Sequence, residues 1–291
     1  MDHGASAYRE IRFTVQDGLT LVARDYGSAE TGATPVLCLP GLTRNAKDFH
    51  ELALRLAPRR RVLALDFRGR GRSDRAADWR SYTVPVECTD VLQLLALTGI
   101  GRVVAIGTSR GGLVAMALAA ARPAALAGVV LNDVGPVLES EGLIQIRRRL
   151  DGATAPRDWA DATEAVKAAN PGFEGLTEAD WQAFARRLYR DENGRPALDY
   201  DPDIARTFPT EAMLESGALP PAWPSFMALA GRPVLVVRGA NSDLLSAATV
   251  KAMQTAMPAL EAVTVPGRAH PPFLTEPEAE AAIDRLLGRI P

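Results

Sequence analysis

The chain has 291 residues, enough for one large α/β domain or for a core carrying an inserted subdomain, and it can bury a sizeable interior. A formal net charge of −2 with 23% charged residues gives no global field, which points away from nucleic acid and membrane surfaces as partners. The two cysteines, Cys38 and Cys88, stand at no metal-ligand or redox spacing, no apolar run approaches the ~20 residues that span a bilayer, and polar residues 1–6 lack a signal peptide's apolar stretch, so a soluble cytoplasmic protein with buried thiols is expected.

Residues 9–15 alternate between apolar and polar, Asp17-Gly18 is a hairpin signal, and residues 19–26 continue as a second strand, predicting an antiparallel edge. After a polar loop over 27–34, residues 35–39 form a short apolar strand that runs into Pro40-Gly41-Leu42. Residues 48–56 have helical periodicity, and Val62, Leu63, Ala64 and Leu65 are an unbroken apolar strand. Asp66-Phe67-Arg68-Gly69-Arg70-Gly71-Arg72-Ser73 follows. Asp66 can bond nearby backbone N–H groups there and the glycines permit turns, while the Gly-Lys-Ser/Thr ending of a phosphate loop is missing. Pro85 suits the first turn of a helix that Gly99 stops. Strand 103–106, helix 113–121 and strand 126–131 come next, the last closing on Asn132-Asp133-Val134-Gly135-Pro136. Strand and helix in alternation imply a parallel sheet with helices on both faces and right-handed crossovers.

From about 137 to 231 the alternation stops. The pattern predicts helices over 143–150, 159–169, 178–190 and 210–216, and Trp159, Trp181 and Trp223 lie in this region. Residues 233–238 restore the core and lead into a loop carrying Asp243. A helix over 247–257, a strand over 260–265 and a helix over 277–287 complete the chain, with His270 between the last two.

The run Val103-Val104-Ala105-Ile106-Gly107-Thr108-Ser109-Arg110-Gly111-Gly112-Leu113 organises the rest. It reads as buried strand, tight turn and helix, with Ser109 at the turn. Gly107 and Gly111 lack Cβ atoms where strand and helix backbones converge, so the turn can be sharp enough to lift the Ser109 hydroxyl out of the sheet. The Arg110 N–H then heads the helix, where a developing negative charge meets a donor and the positive helix end. A serine hydroxyl is nearly inert at neutral pH without a base. Of the histidines, His3 lies in the N-terminal tail and His50 on the first core helix, whereas His270 lies in a loop after a core strand and is the candidate base.

These motifs, in this order with Arg238-Gly239-Ala240-Asn241-Ser242-Asp243 and Gly267-Arg268-Ala269-His270-Pro271-Pro272, resemble the α/β-hydrolase family over nearly the whole chain. The resemblance implies a mostly parallel twisted sheet of about eight strands with helices on both faces. It further implies a core of residues 1–136 and 232–291 and an inserted helical cap over 137–231. It places the second oxyanion-hole donor at the Leu42 N–H, beside that of Arg110, although Pro40 stands where many relatives have His. Asp243 follows the seventh strand, as the family's usual acid does, and is the first choice to orient His270. Asp133, at the end of the sixth strand, is the rival, since some members supply the acid from there. Arg44 and Arg110 flank the oxyanion donors and are candidates to bind an acidic substrate group, and Trp159 and Trp181 are candidates to line the small-molecule pocket, with packing between the cap helices as the default for Trp at helical spacing.

The activity implied is acyl transfer from carboxylic esters or lactones of small to medium size, with neither metal nor organic cofactor. Serine at the nucleophile position disfavours the branches that use aspartate there. Relatives with the same triad cleave carbon–carbon bonds of vinylogous diketones or make peracids, and hydrolase-like small-ligand receptors also exist. The first alternative lacks its Gly-rich Ser-Gly-Pro-Gly run here, and a complete triad argues against the last.

Overall fold

The computed structural model describes residues 7–28, 32–217 and 219–291. The N-terminal residues 1–6, with His3, lie outside the described residues, as does part of the loop over 27–34. The first strands, β1 (Arg9–Thr14) and β2 (Thr20–Tyr26), form the antiparallel hairpin expected around Asp17-Gly18, and β2 runs antiparallel to β4 (Val62–Asp66). The strands β3 (Val36–Leu39), β5 (Val103–Thr108), β6 (Leu126–Asn132), β9 (Val234–Gly239) and β10 (Glu261–Val265) pair in parallel, giving an eight-stranded sheet in the order β1-β2-β4-β3-β5-β6-β9-β10. Every residue of β3, β4, β5 and β6 is buried, which is what strands covered on both faces require and why they read as unbroken apolar runs.

Alternate residues of these strands feed two cores. Leu37, Leu63, Ala105 and Leu131 face α2 (Val84–Leu97), α3 (Arg110–Ala121) and α9 (Ala247–Ala256), while Cys38, Ala64, Ile106 and Val130 face α1 (His50–Leu56) and α10 (Pro277–Gly288). Cys38 and Cys88 are buried free thiols, one in each core. Among the described residues no helix is long and apolar enough to cross a membrane.

Between β6 and β9 the chain leaves the sheet as α4 (Ser140–Asp151), α5 (Trp159–Ala169), α6 (Glu178–Leu188), α7 (Glu211–Glu215) and α8 (Trp223–Met227). The helix predicted over 178–190 ends at Leu188, and a hairpin of β7 (Tyr189–Glu192) and β8 (Arg195–Leu198) follows. Its turn is Asn193-Gly194 with φ of 55° and 84°, the pair of left-handed residues that a two-residue hairpin needs. Thr177 caps α6 and Asp180 returns the bond to the Thr177 N–H, completing a capping box with Asp in place of Glu.

The loop after β4 fastens this segment to the sheet. Asp66 accepts from the N–H groups of Ala46 and Arg72 at 2.7 and 3.0 Å, and a Cβ at Gly71 would meet the Asp66 carboxylate at 2.4 Å. The Gly71 N–H then donates to the Asp199 carbonyl, the Asp201 N–H donates to the Gly69 carbonyl, and the Tyr82 hydroxyl donates to Asp201. Lys47 bonds the Arg186 and Tyr189 carbonyls and pairs with Asp199 at 2.7 Å. The glycines of this motif therefore serve the junction between core and helical segment.

Complete burial, only partly countered by its two N–H donors, pushes Asp66 from its ordinary value of 3.8 up to about 6. A carboxyl with a raised folded-state pKa binds its proton more tightly folded than unfolded. Its contribution is therefore greatest below the unfolded value and is lost as pH rises through the folded one. Asp66→Asn removes this titration. The melting temperature of Asp66→Asn relative to wild type should rise between pH 4 and pH 7 by roughly 3 °C or more, whatever offset the lost acceptor adds. A pH-independent difference in thermal scans would show that Asp66 does not titrate in this window.

Candidate active site

Ser109 stands between β5 and α3 with φ 50° and ψ −114°, a conformation that L-residues hold only under constraint. The constraint is backbone packing. A Cβ at Gly107 would meet Gly111 backbone atoms at 2.5 Å, and one at Gly111 would meet the Leu39 carbonyl oxygen at 2.0 Å. The Ser109 N–H donates to the Asn132 carbonyl at 3.0 Å, while its own carbonyl accepts from Gly112 and Leu113. The hydroxyl is thus held above the sheet, as the Gly-x-Ser-x-Gly spacing predicted.

His270 lies beside it. The Ser109 Oγ is 3.0 Å from His270 Nε2, and His270 Nδ1 is 2.7 Å from Asp133 Oδ2. Nδ1 therefore carries the proton towards the carboxylate, leaving Nε2 to accept from the serine hydroxyl. His50 is elsewhere, paired through Nδ1 with the Tyr26 hydroxyl at 3.0 Å. Asn132 ties the two reacting loops together by donating to Thr108 Oγ1 at 3.0 Å and to the Pro272 carbonyl at 2.9 Å. Glu276 accepts from Arg268 and from the Phe273 N–H, both at 3.0 Å, which fixes the far side of the histidine loop.

The expectation that Asp243 would meet His270 is corrected by this geometry. Strands β6 and β9 are neighbours, so the loops carrying Asp133 and Asp243 leave the same sheet edge side by side. Asp133 is completely buried at φ 55°, and its carboxylate accepts from the Gly239 N–H at 2.9 Å and the Ser242 hydroxyl at 2.6 Å as well as from His270. Ser242 must donate to it, because its oxygen already accepts from the N–H groups of Leu244 and Leu245. The next residue turns away: the Asp243 backbone packs on Gly142 of α4 and its charge faces Arg149. Ser242 and Asn132 were not singled out from the sequence, and nothing in their spacing marks them.

Arg110 follows Ser109 directly, and Leu42 follows Gly41 in the loop beside the serine. Gly41 stands against it, with a Cβ there falling 3.9 Å from Ser109 Cβ. Neither the Leu42 N–H nor the Arg110 N–H has a protein acceptor among the described residues. A buried ion network holds both. Arg70 Nε donates to the Leu42 carbonyl at 2.8 Å and its Nη1 lies 3.0 Å from Glu87 Oε1, while Arg110 Nε donates to Glu87 Oε2 at 2.7 Å. Arg110 is consequently committed to Glu87 and the Tyr82 carbonyl, and Arg44 forks onto Asp48.

A narrow cavity beside this constellation, reaching Thr108 and Pro271 but not Ser109 or His270 themselves, is lined by Arg44, Asp48, Asn132, Phe184, Arg187 and Phe273, among others. Trp159 and Trp181, candidates to line the pocket, do not line it and instead follow the default for Trp at helical spacing. They pack against the core between α5 and α6, with Trp181 stacked on Phe184 at 6.1 Å and Trp159 covered by the Arg186 guanidinium at 3.6 Å.

The fold and this constellation define a hydrolase scaffold, and the chain belongs to the Alpha/beta hydrolase family, whose family model matches residues 36–283. It is 34% identical over 256 residues to 3-hydroxybutyrate-oligomer hydrolase of Cupriavidus necator, across 85% of this chain and 86% of that protein. It is 28% identical over 272 residues to 2-(acetamidomethylene)succinate hydrolase of Mesorhizobium japonicum, across 94% and 92% of the two chains. The crystal structure of an alpha/beta hydrolase from Novosphingobium aromaticivorans superposes with a TM-score of 0.91 at 45% identity, covering 99% of this chain and 100% of that one.

Glu87→Gln keeps the shape of the network but leaves two guanidiniums without a buried counter-charge. Breaking a buried pair in this way should lower stability by about 3 kcal/mol or more, read from urea unfolding midpoints. A loss under about 1 kcal/mol would show that water or neighbouring carbonyls suffice to hold Arg70 and Arg110.

Proposed function

We propose that the protein is a serine hydrolase of short carboxylic esters, acting through an acyl-enzyme on Ser109. The reading rests on the hydrogen-bonded line from Ser109 Oγ through His270 to Asp133. In the first step His270 Nε2 takes the hydroxyl proton as Oγ attacks the ester carbonyl carbon. The N–H groups of Leu42 and Arg110 hold the resulting oxyanion, with α3 contributing its positive end. Asp133 accepts from Nδ1–H, fixing the tautomer and stabilising the imidazolium. The imidazolium then protonates the departing alkoxide, and water, deprotonated by the same nitrogen, releases the acid and restores Ser109. No residue in these steps requires a cofactor.

Residues 137–231 act as a cap in this reading, since α6 supplies Phe184 and Arg187 to the cavity while the histidine loop supplies Phe273. The similarity to an enzyme whose named substrate is an oligomer of a short hydroxy acid supports an ester as the bond and a small acyl group as its size.

Ser109→Ala should abolish both fluorophosphonate labelling and hydrolysis of p-nitrophenyl butyrate, with turnover falling by ~10⁴-fold or more. Labelling that persists in the variant would move the nucleophile elsewhere.

The acid is tested by a pair of isosteric changes. Asp133→Asn leaves the pocket shape but favours the wrong imidazole tautomer and should reduce kcat by roughly 10⁴-fold. Asp243→Asn, on a side chain that faces α4, should change kcat by less than about 3-fold. The opposite ranking, in two variants that melt cooperatively, would return the acid to the loop after β9.

A further inference from the structure

Arg187, on α6, lines the cavity that Thr108 and Asn132 also line. Its guanidinium lies 4.5 Å from the centroid of the Phe273 ring and 5.6 Å from that of Phe184. Among the described residues it has neither an ion-pair partner nor a hydrogen-bond acceptor, and its Nε is enclosed without one. This distinguishes it from the other cations around the site. Arg44 is forked onto Asp48, Arg110 is held by Glu87, and Arg268 is held by Glu276. The charged groups that Arg187 senses are Asp48, Glu51 and Glu276 against Arg44, and two of those carboxylates are already bonded, while Glu51 is exposed on α1. Burial holds its pKa below the ordinary guanidinium value.

An arginine desolvated without a partner costs free energy, and a nearby Met or Leu would fill the same wall. The Phe273 and Phe184 rings beside the guanidinium restrict its freedom, which lowers the entropy lost when a flat, two-oxygen anion binds to the fork. A carboxylate is the matching group, because it takes both N–H bonds in parallel and neutralises the charge in the same step.

We propose that Arg187 binds a free carboxylate carried by the substrate, so that the enzyme prefers half-esters and other acid-bearing short esters to neutral ones. The inference rests on ester hydrolysis at Ser109 and names the class of ester. Arg187 is here a specificity-determining residue that touches the substrate away from the scissile carbonyl. It takes the part that the sequence pattern gave to Arg44 and Arg110, whose charges are spent on Asp48 and Glu87.

Mono-p-nitrophenyl glutarate and p-nitrophenyl valerate differ by a carboxylate in place of a terminal methyl and form the test pair. In wild type, kcat/KM should favour the glutarate. In Arg187→Met the ratio of glutarate to valerate should fall by roughly 10-fold or more, through KM, because the lost bonds are those of a charged acceptor. Arg187→Lys, which keeps the charge without the fork, should fall between them. A ratio that does not move in either variant overturns the assignment. A second measurement is independent of turnover: titration calorimetry with succinate, glutarate and adipate on Ser109→Ala, with and without Arg187→Met. Binding of at least one diacid, weakened by roughly 10-fold or more in the double variant, supports the carboxylate site even if no ester is hydrolysed, in which case only the ester reading fails. Absence of diacid binding, or equal binding in both proteins, overturns it. Removing an unpaired cation should leave the melting temperature of Arg187→Met at or above that of its parent, so a loss through misfolding is visible in the same samples.

Discussion

Glu87, completely buried on α2, accepts one guanidinium from the β4 loop and another from the first residue of α3. A carboxylate in that position is tolerable only if both oxygens meet positive charge, and the two arginines are tolerable only through Glu87. Mutual dependence of this kind fixes where three segments stop relative to one another. Arg70 carries the constraint onward by bonding the Leu42 and Arg68 carbonyls, and Arg68 by forking onto Asp90. The consequence appears beside Ser109. Leu42 and Arg110, the residues proposed to supply the oxyanion donors, are each tied to the same buried carboxylate, Leu42 through Arg70 on its carbonyl and Arg110 through its own side chain. Electrostatic stabilisation of a developing oxyanion depends on donors that need not reorganise, and in the proposed reaction this network would supply that rigidity.

The order of strands and helices was legible because parallel strands buried on both faces leave unbroken apolar runs, and Gly107-x-Ser109-x-Gly111 was legible because only glycine fits where Leu39 and Gly111 backbones nearly touch. The partner of His270 was not. Both aspartates end up on adjacent loops at one sheet edge, and chain order cannot resolve a choice that depends on which way each loop turns. Ser242 and Gly239 present donors inward, and Asp133 takes them at φ 55°. The Asn132-Asp133 pair at a strand end carried a weak mark of this, since Asn and Asp enter the left-handed region more readily than other residues. The β7–β8 hairpin was fully marked by Asn193-Gly194, yet the helical period of α6 extended over it by two residues and masked the change of period.

Charge pairing shows the same division. Arg44 and Asp48 are four apart, a spacing that announces a local pair, whereas the Arg110–Glu87 contact spans two elements and the isolation of Arg187 is a property of the finished packing. A sequence lists cations; only the fold decides which of them are neutralised. The aromatic residues followed a different rule. Trp159 and Trp181 pack, partly buried, against the core between α5 and α6, because large apolar groups at helical spacing gain from contact with the facing helix. Phe184 and Phe273, less conspicuous in the sequence, were left to face the cavity.

Two strained residues of the site, Ser109 at φ 50° and Asp133 at φ 55°, stand at the ends of adjacent strands. Each costs on the order of 1–3 kcal/mol, and neither is a glycine that could adopt the conformation freely. The buried backbone bonds around them determine how the cost is borne. The Ser109 N–H is held by Asn132 and the Asp133 N–H by Val237, so the strained residues are stitched to β6 and β9 in the middle of the sheet. Relaxing either one would unpair a buried N–H and a buried carbonyl together, at a penalty comparable to the strain itself. The strain is therefore stable where it lies, and it does one structural thing: it turns the Ser109 hydroxyl and the Asp133 carboxylate towards the single loop that carries His270, so that side chains from three strand ends converge without any of the strands leaving register.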